Sequence, residues 1–151
     1  MKKLVLVIAL TLVSFIDINA QVEYKVITSV ESIVTAGAGR SRIISALEDK
    51  DYKEFTSIRT DDKKNDKRNK SDRSEIRVKN FEETKLLNFY NIAGIRFQNI
   101  VANDALITSK INTMITEGWE LAFVTSAVES DGGKGDSQGI FITRYIFKRN
   151  K

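Results

Sequence analysis

The stretch Glu117-Gly118-Trp119-Glu120-Leu121-Ala122-Phe123 (EGWELAF) decides the fold, because two hydrophobic periods meet in it. Ahead of it, Ile107, Ile111, Met114 and Ile115 recur at the i, i+4, i+7, i+8 spacing of one helix face, with Leu106 beside them. Lys110, Asn112, Thr113 and Thr116 fall on the other face. Asn103 or Asp104 offers a side-chain oxygen to the free amides of a first turn, so the spacing predicts a helix over about 104–117. Gly118 stands where helices end in a left-handed residue. Behind it Trp119, Leu121, Phe123, Thr125 and Ala127 alternate on one face of a strand. A helix therefore turns directly into a strand at the only tryptophan of the chain. Its ring is expected to fill the seam between the two, rather than to serve as an exposed binding platform.

Outward from that joint, Ile140–Lys148 answers the first strand with Phe141, Thr143, Tyr145 and Phe147 on one face and Ile140, Ile142, Arg144 and Ile146 on the other. Between the two strands, SDGGKGDSQG holds four of the eight glycines and reads as a long hairpin loop. Near the start, Val22–Val34 is rich in β-branched residues and reads as a strand, with Tyr24, Val26, Thr28 and Val30 alternating with Glu23, Lys25, Ile27 and Ser29 as one better-buried face requires. Ala36-Gly37-Ala38-Gly39 then supplies a turn. Residues 40–48 read either as a returning strand or as the first turn of a helix, with a hairpin preferred. From Asp61 to Arg77 there are seven Lys/Arg and five Asp/Glu, and Ile76 is the only apolar residue. Such a segment buries too little area to offset its ordering entropy, which predicts a mobile charged loop at about 59–79. Core candidates return with Leu86, Leu87, Phe89, Tyr90, Ile92, Ile95, Phe97 and Ile100. The sum is an α+β fold: a small antiparallel sheet of three to five strands with one main amphipathic helix on one face.

The first twenty residues read as an address. Lys2 and Lys3 precede an apolar run from Leu4 to Ile16, which as a helix rises only about 20 Å against a hydrocarbon core of ~30 Å. Ile18-Asn19-Ala20 completes the pattern of a signal peptide cleaved between Ala20 and Gln21. The expected product is one domain, 21–151, in the periplasm or the medium. With no cysteine anywhere, its stability there must come from packing.

The same composition narrows the chemistry. No histidine and no cysteine are present, which excludes Ser-His-Asp and Cys-His nucleophiles and ordinary zinc sites. No Ser-x-x-Lys motif occurs either. Gly132-Gly133-Lys134-Gly135 lacks the Ser/Thr and the following helix of a phosphate-binding loop. No metal or cofactor is therefore expected. A formal charge of +4 is too small to argue for nucleic acid. Arg40, Arg42, Arg96 and Arg144 lie in apolar or turn-bounded stretches, where a guanidinium needs either a carboxylate partner or an anionic ligand. Arg40, Ser41 and Arg42, with Arg144, make the candidate anion site beside the glycine turn. The expected function is a non-catalytic binding or envelope-associated interaction module, its partner an envelope protein or an anionic surface polymer. The alternatives are a polyanion or cell-surface binder using 61–77 and the arginines, and an enzyme with carboxylate or Ser-Lys chemistry.

Three stretches, VEYKVITSV at 22–30, INTMITEGWELAFV at 111–124 and RYIFKR at 144–149, resemble a small bacterial domain family of unknown function. Its signature residues here are Tyr24, Gly118, Trp119, Leu121, Tyr145 and Phe147. Gly39–Arg42 and Phe141–Phe147 are similar to exported members from Bacteroidetes-type bacteria. The resemblance implies a compact α+β fold with an antiparallel sheet, and it brings no activity and no catalytic residues.

Overall fold

The computed structural model describes residues 21–32, 40–91, 93–129 and 139–151. The segment expected to be a signal peptide, the glycine turn at 36–39, Ile92 and residues 130–138 of the closing loop lie outside the described residues. Strands β1 (Val22–Ser32), β2 (Arg42–Ala46), β3 (Phe81–Lys85), β6 (Glu120–Val128) and β7 (Ile140–Asn150) form one antiparallel sheet in the order β3-β2-β1-β7-β6. A two-stranded ribbon, β4 (Tyr90–Asn91) and β5 (Gly94–Ile95), leads into the main helix α2 (Phe97–Thr116). Between β2 and β3 the chain makes a polar excursion with a short 3-10 turn (Tyr52–Phe55) and a four-residue helix α1 (Arg73–Ile76).

Residues 40–48 resolve in favour of the hairpin: Arg42–Ala46 pairs with β1 through Ile27–Ser45, Ser29–Ile43 and Val30–Arg42. The first and last long strands pair along their whole length, from Val22–Asn150 to Ser32–Ile140. This closure explains why both strands are dense in β-branched and aromatic residues. They occupy the middle of the sheet and fit a pleated surface.

The sheet has two unlike faces. On one, Ile27, Ile43 and Phe147 join Leu86, Met114 and Trp119 in the buried core, with Ile107, Ile111, Leu121 and Tyr145 packed around it. Phe147 is fully buried. This is the face that α2 covers.

The helix begins seven residues before the expected start, at Phe97, and Arg96 is its N-cap, without a side-chain cap bond. The reason lies in Asn103, which does not cap. It sits inside the helix, fully buried, and its amide accepts from Leu87 N (2.8 Å) and donates to Leu87 O (2.7 Å) and Glu31 Oε1 (2.9 Å). The apolar stripe is also narrower than its sequence. Ile107, Ile111 and Met114 face the sheet, whereas Leu106 and Ile115 are exposed. Among the described residues of the approach to the helix only Leu86 is buried; Leu87, Tyr90, Ile95 and Phe97 are exposed.

The helix ends as the sequence requires. Gly118 has φ 85°, its N–H reaches Ile115 O, and Trp119 N reaches Met114 O, each at 3.0 Å. These are the two bonds of a Schellman motif, whose accompanying hydrophobic contact joins the positions that Trp119 and Met114 hold. Glycine supplies the left-handed turn, and the residue after it falls into the core.

The excursion from 47 to 80 has no buried residue. Polar bonds tie it: Ile58 pairs with Lys67 through two backbone bonds, Asn69 N meets Ser57 Oγ, and Lys50 Nζ meets Glu75 O. Its base is joined at Glu48, which accepts from Lys79 N and Asn80 Nδ2. The Lys79 amide bond above all holds the Glu48 carboxyl below the usual glutamate range.

Candidate functional site

The second face of the sheet follows from the pleat. Residues two apart share a face, so Val22, Tyr24, Val26, Thr28 and Val30 of β1 stand opposite the core residues Ile27 and Ser29. Cross-strand pairing extends the same face over Arg42, Ile44 and Ala46 of β2 and Phe81, Glu83 and Lys85 of β3. On the other side it continues over Ile142, Arg144, Ile146 and Lys148 of β7 and Phe123, Thr125 and Ala127 of β6. None of these side chains is buried. Tyr24 is 64 % and Phe123 61 % exposed, and Val22, Val26 and Phe81 are each close to half exposed. Among the described residues no helix lies across this face. A five-stranded sheet normally hides both faces when both are apolar, so this one is an open apolar surface well beyond scattered exposure.

Phe123 reaches that surface by a specific device. Simple alternation puts Trp119, Leu121 and Phe123 on one side, which is how the sequence reads. A β-bulge between Leu121 and Phe123 breaks the alternation: Leu121 pairs with Phe147 on the core face, and Phe123 pairs with Ile146 on the open face. The extra residue, Ala122, thus turns Phe123, Thr125 and Ala127 away from the helix and Val124 and Val128 toward the helix side. Bulges re-aim side chains in this way at the cost of local pairing. In the other half of the same face, over β1, β2 and β3, Val26, Thr28, Ile44, Val78 and Phe81 line a shallow, mostly apolar depression of about 350 Å³.

The candidate anion residues do not converge. Ser41 is buried, and its hydroxyl accepts from Ser32 N (3.0 Å) and donates to Asn88 Oδ1 (2.7 Å). Arg42 donates to Glu83 Oε1 at 2.8 Å and to the Ser41 carbonyl at 2.8 Å, so its fork is taken up by a carboxylate partner. Arg40 is exposed ahead of β2. Arg144 lies on the far side of β1 from Arg42, opposite Thr28 and Thr125, with no ion-pair or hydrogen-bond partner among the described residues. Arg96 is at the helix N-cap.

Of the signature residues, Trp119 is 6 % exposed in the seam below α2, and Leu121, Tyr145 and Phe147 share its side of the sheet. The Arg149 guanidinium lies 4.2 Å from the indole centroid and pairs with Glu23 at 3.1 Å; Lys25 Nζ stands 5.9 Å away. The indole face next to the polar groove is therefore covered by the protein's own cation. Tyr24 departs from this group, being on the open face. Sequence reasoning missed that face because it credited Phe123 to the core side; only the bulge moves it, and Ala122 carries no signal for a bulge.

Near the opposite edge of the core face, Lys110 of α2 meets Glu82 of β3 at 2.7 Å. That hydrogen bond, with the lysine's charge, holds the Glu82 carboxyl below the usual glutamate range. Among the described residues no three acids gather as a metal cluster would, and no helix is long and apolar enough to cross a membrane. Comparison with known protein families, with curated proteins and with solved structures gives no match, so the reading of function rests on the chemistry of the chain itself.

Proposed function

We propose that the protein is an exported, non-catalytic interaction module, of the small bacterial family its signature resembles, and that its contact surface is the open face of the sheet. One observation carries the reading: an apolar face with Tyr24, Phe81 and Phe123 exposed on it, the last aimed there by a bulge. Apolar area left in water costs about 25 cal/mol per Å² relative to burial, so a surface of this extent gains by being covered. The exported location rests on the n-region, apolar run and small-residue site before Gln21. The absence of histidine and cysteine from the sequence supports a role in contact rather than in acid–base or thiol chemistry. An anion-binding role for Arg40–Arg42 has less support, because Ser41 and Arg42 already spend their donors within the fold.

The test is side-chain footprinting of the protein in envelope and medium fractions of the producing cell, with N-terminal sequencing of the recovered chain. Tyr24, Phe81 and Phe123 should be protected from hydroxyl radicals relative to the exposed Tyr52 and Phe97, and the new terminus should be Gln21. Full reactivity of all three rings in every fraction, or a retained Met1, sinks the proposal.

A further inference from the structure

Read across the strands, the open face is ordered in rows, and two of them are matched to themselves end for end. The central row runs Glu83, Ile44, Thr28, Arg144, Thr125 from β3 to β6. Its acid and its unpaired cation sit on opposite sides of Thr28, which lies on the middle strand. The next row runs Phe81, Ala46, Val26, Ile146, Phe123, with an aromatic ring at each end and aliphatic side chains between. The row on the other side runs Lys85, Arg42, Val30, Ile142, Ala127.

A two-fold axis along β1, through Thr28 and parallel to the sheet, turns each row onto itself. It seats β3 of one copy over β6 of the other, and β2 over β7. Sheets packed face to face stand ~10 Å apart. Across that gap Arg144 of each copy comes opposite Ile44 of the other and beside Glu83, so the carboxylate that Arg42 already holds gains a second guanidinium, one that has no partner among the described residues. The same rotation brings Phe123 of each copy over the depression that Phe81, Val26, Ile44 and Val78 line in the other. An isologous contact has this form: residue i meets j and j meets i.

The area sets the strength of the contact. With β2 seated on β7 and β3 on β6, the overlap is the eleven residues of β1 and five residues on each of the other four strands. At ~3.3 Å rise and ~4.8 Å spacing this projects about 490 Å² per copy, so two copies cover roughly 1,000 Å², the lower limit of a specific interface and the range of a weak, reversible dimer.

We infer that the occupant of the open face is a second copy of this chain, packed sheet to sheet about a two-fold axis along β1, with Arg144–Glu83 pairs between copies and Phe123 in the opposing depression. The inference rests on the open face being a contact surface and deepens that proposal by naming the partner.

Sedimentation equilibrium of the purified exported protein, with footprinting of the same samples, tests it. Wild type should associate to a dimer, with Tyr24, Phe81 and Phe123 protected as it forms. Thr28→Lys sets like charges against each other on the axis and should leave monomer only. Arg144→Glu loses both ion pairs and should weaken association by roughly a hundredfold, about tenfold per pair. Adding Glu83→Lys to Arg144→Glu should restore at least part of it. Far-UV circular dichroism establishes that each variant is folded, and Ser109→Lys on the exposed helix face should leave association unchanged. A wild type that stays monomeric overturns the dimer, and so does a dimer that survives both Thr28→Lys and Arg144→Glu. Should the monomer's rings be protected only when envelope material is present, the dimer falls while the contact-surface proposal stands. If they stay reactive there too, both fall.

Discussion

Replacing Trp119 by alanine tests the account of how helix and sheet are joined. The ring is 6 % exposed, and Met114, Leu121 and Phe147 belong to the same packed group. A tryptophan buries on the order of 200 Å², worth about 5 kcal/mol at ~25 cal/mol per Å². A compact denatured chain already hides part of that area, which lowers the figure to about 3–4 kcal/mol. Loss of the Arg149 stack adds about 0.5–1 kcal/mol, at the low end because that side chain is 38 % exposed. The expected loss is about 4 kcal/mol, a large share of the ~5–15 kcal/mol that holds an ordinary domain together. Trp119→Phe keeps most of the apolar contact and should cost about 1–2 kcal/mol. Because Trp119 is the only tryptophan, the assay is urea unfolding followed by far-UV circular dichroism, with the m-value held in common. In wild type the native fluorescence should be blue-shifted and resistant to acrylamide. A Trp119→Ala midpoint within about 1 kcal/mol of wild type, or a red and freely quenched wild-type emission, refutes the reasoning.

Three further perturbations follow from the same contacts. Asn103→Leu keeps the volume but strands Leu87 N and Leu87 O; it should cost about 3 kcal/mol in the same urea assay, at ~1–3 kcal/mol per stranded group. Gly118→Ala forces a Cβ into φ 85° where no neighbouring atom lies within 4 Å, so the cost is backbone strain alone. It should be about 1 kcal/mol, with Gly118→Asn losing less. For Glu82, the lowered carboxyl means that its pairing with Lys110 contributes above the unfolded glutamate pKa of about 4.3 and is lost as pH falls through the folded value. Urea midpoints of wild type and Glu82→Gln should therefore converge in that acid window and differ by only about a few tenths of a kcal/mol at neutral pH, the pair being partly exposed.

How much was legible in the sequence depended on whether the signal was local. The Gly118–Trp119 joint was, because a left-handed turn and the burial three residues after the last helical residue are properties of a few consecutive residues. The hairpin of β6 and β7 was legible from alternation, and so was the architecture of one helix on an antiparallel sheet. The helix start was not. Asn103 has the composition of a cap, but tertiary contact with Leu87 and Glu31 outbids that local use, and Phe97 and Val101 are too exposed to extend a stripe. The open face was hidden for a different reason. A bulge shifts the phase of everything after it, so Phe123 and Leu121 look alike in the sequence and part company only when paired with Ile146 and Phe147. Arg40, Ser41 and Arg42 are neighbours in the chain, but the pleat sends Ser41 and Arg42 to opposite faces, and Arg144 is placed across β1 from Arg42 by pairing that no local pattern carries.

Asn103 has one more consequence. A stripe of Ile107, Ile111 and Met114 tells the helix which way to face but not where to stop, since greasy contact is tolerant of sliding by a turn and of rolling by a few tens of degrees. The amide of Asn103 meets both polar groups of a single peptide, Leu87, much as a neighbouring strand would. That match has one solution. It acts as a keyway cut into an otherwise smooth shaft, fixing the rotational and axial setting of the helix at its first third. Trp119 fixes the same helix at its far end. Held at these two points, the helix is set against the Leu87 segment and β6 at once, so its register on the sheet is specified twice.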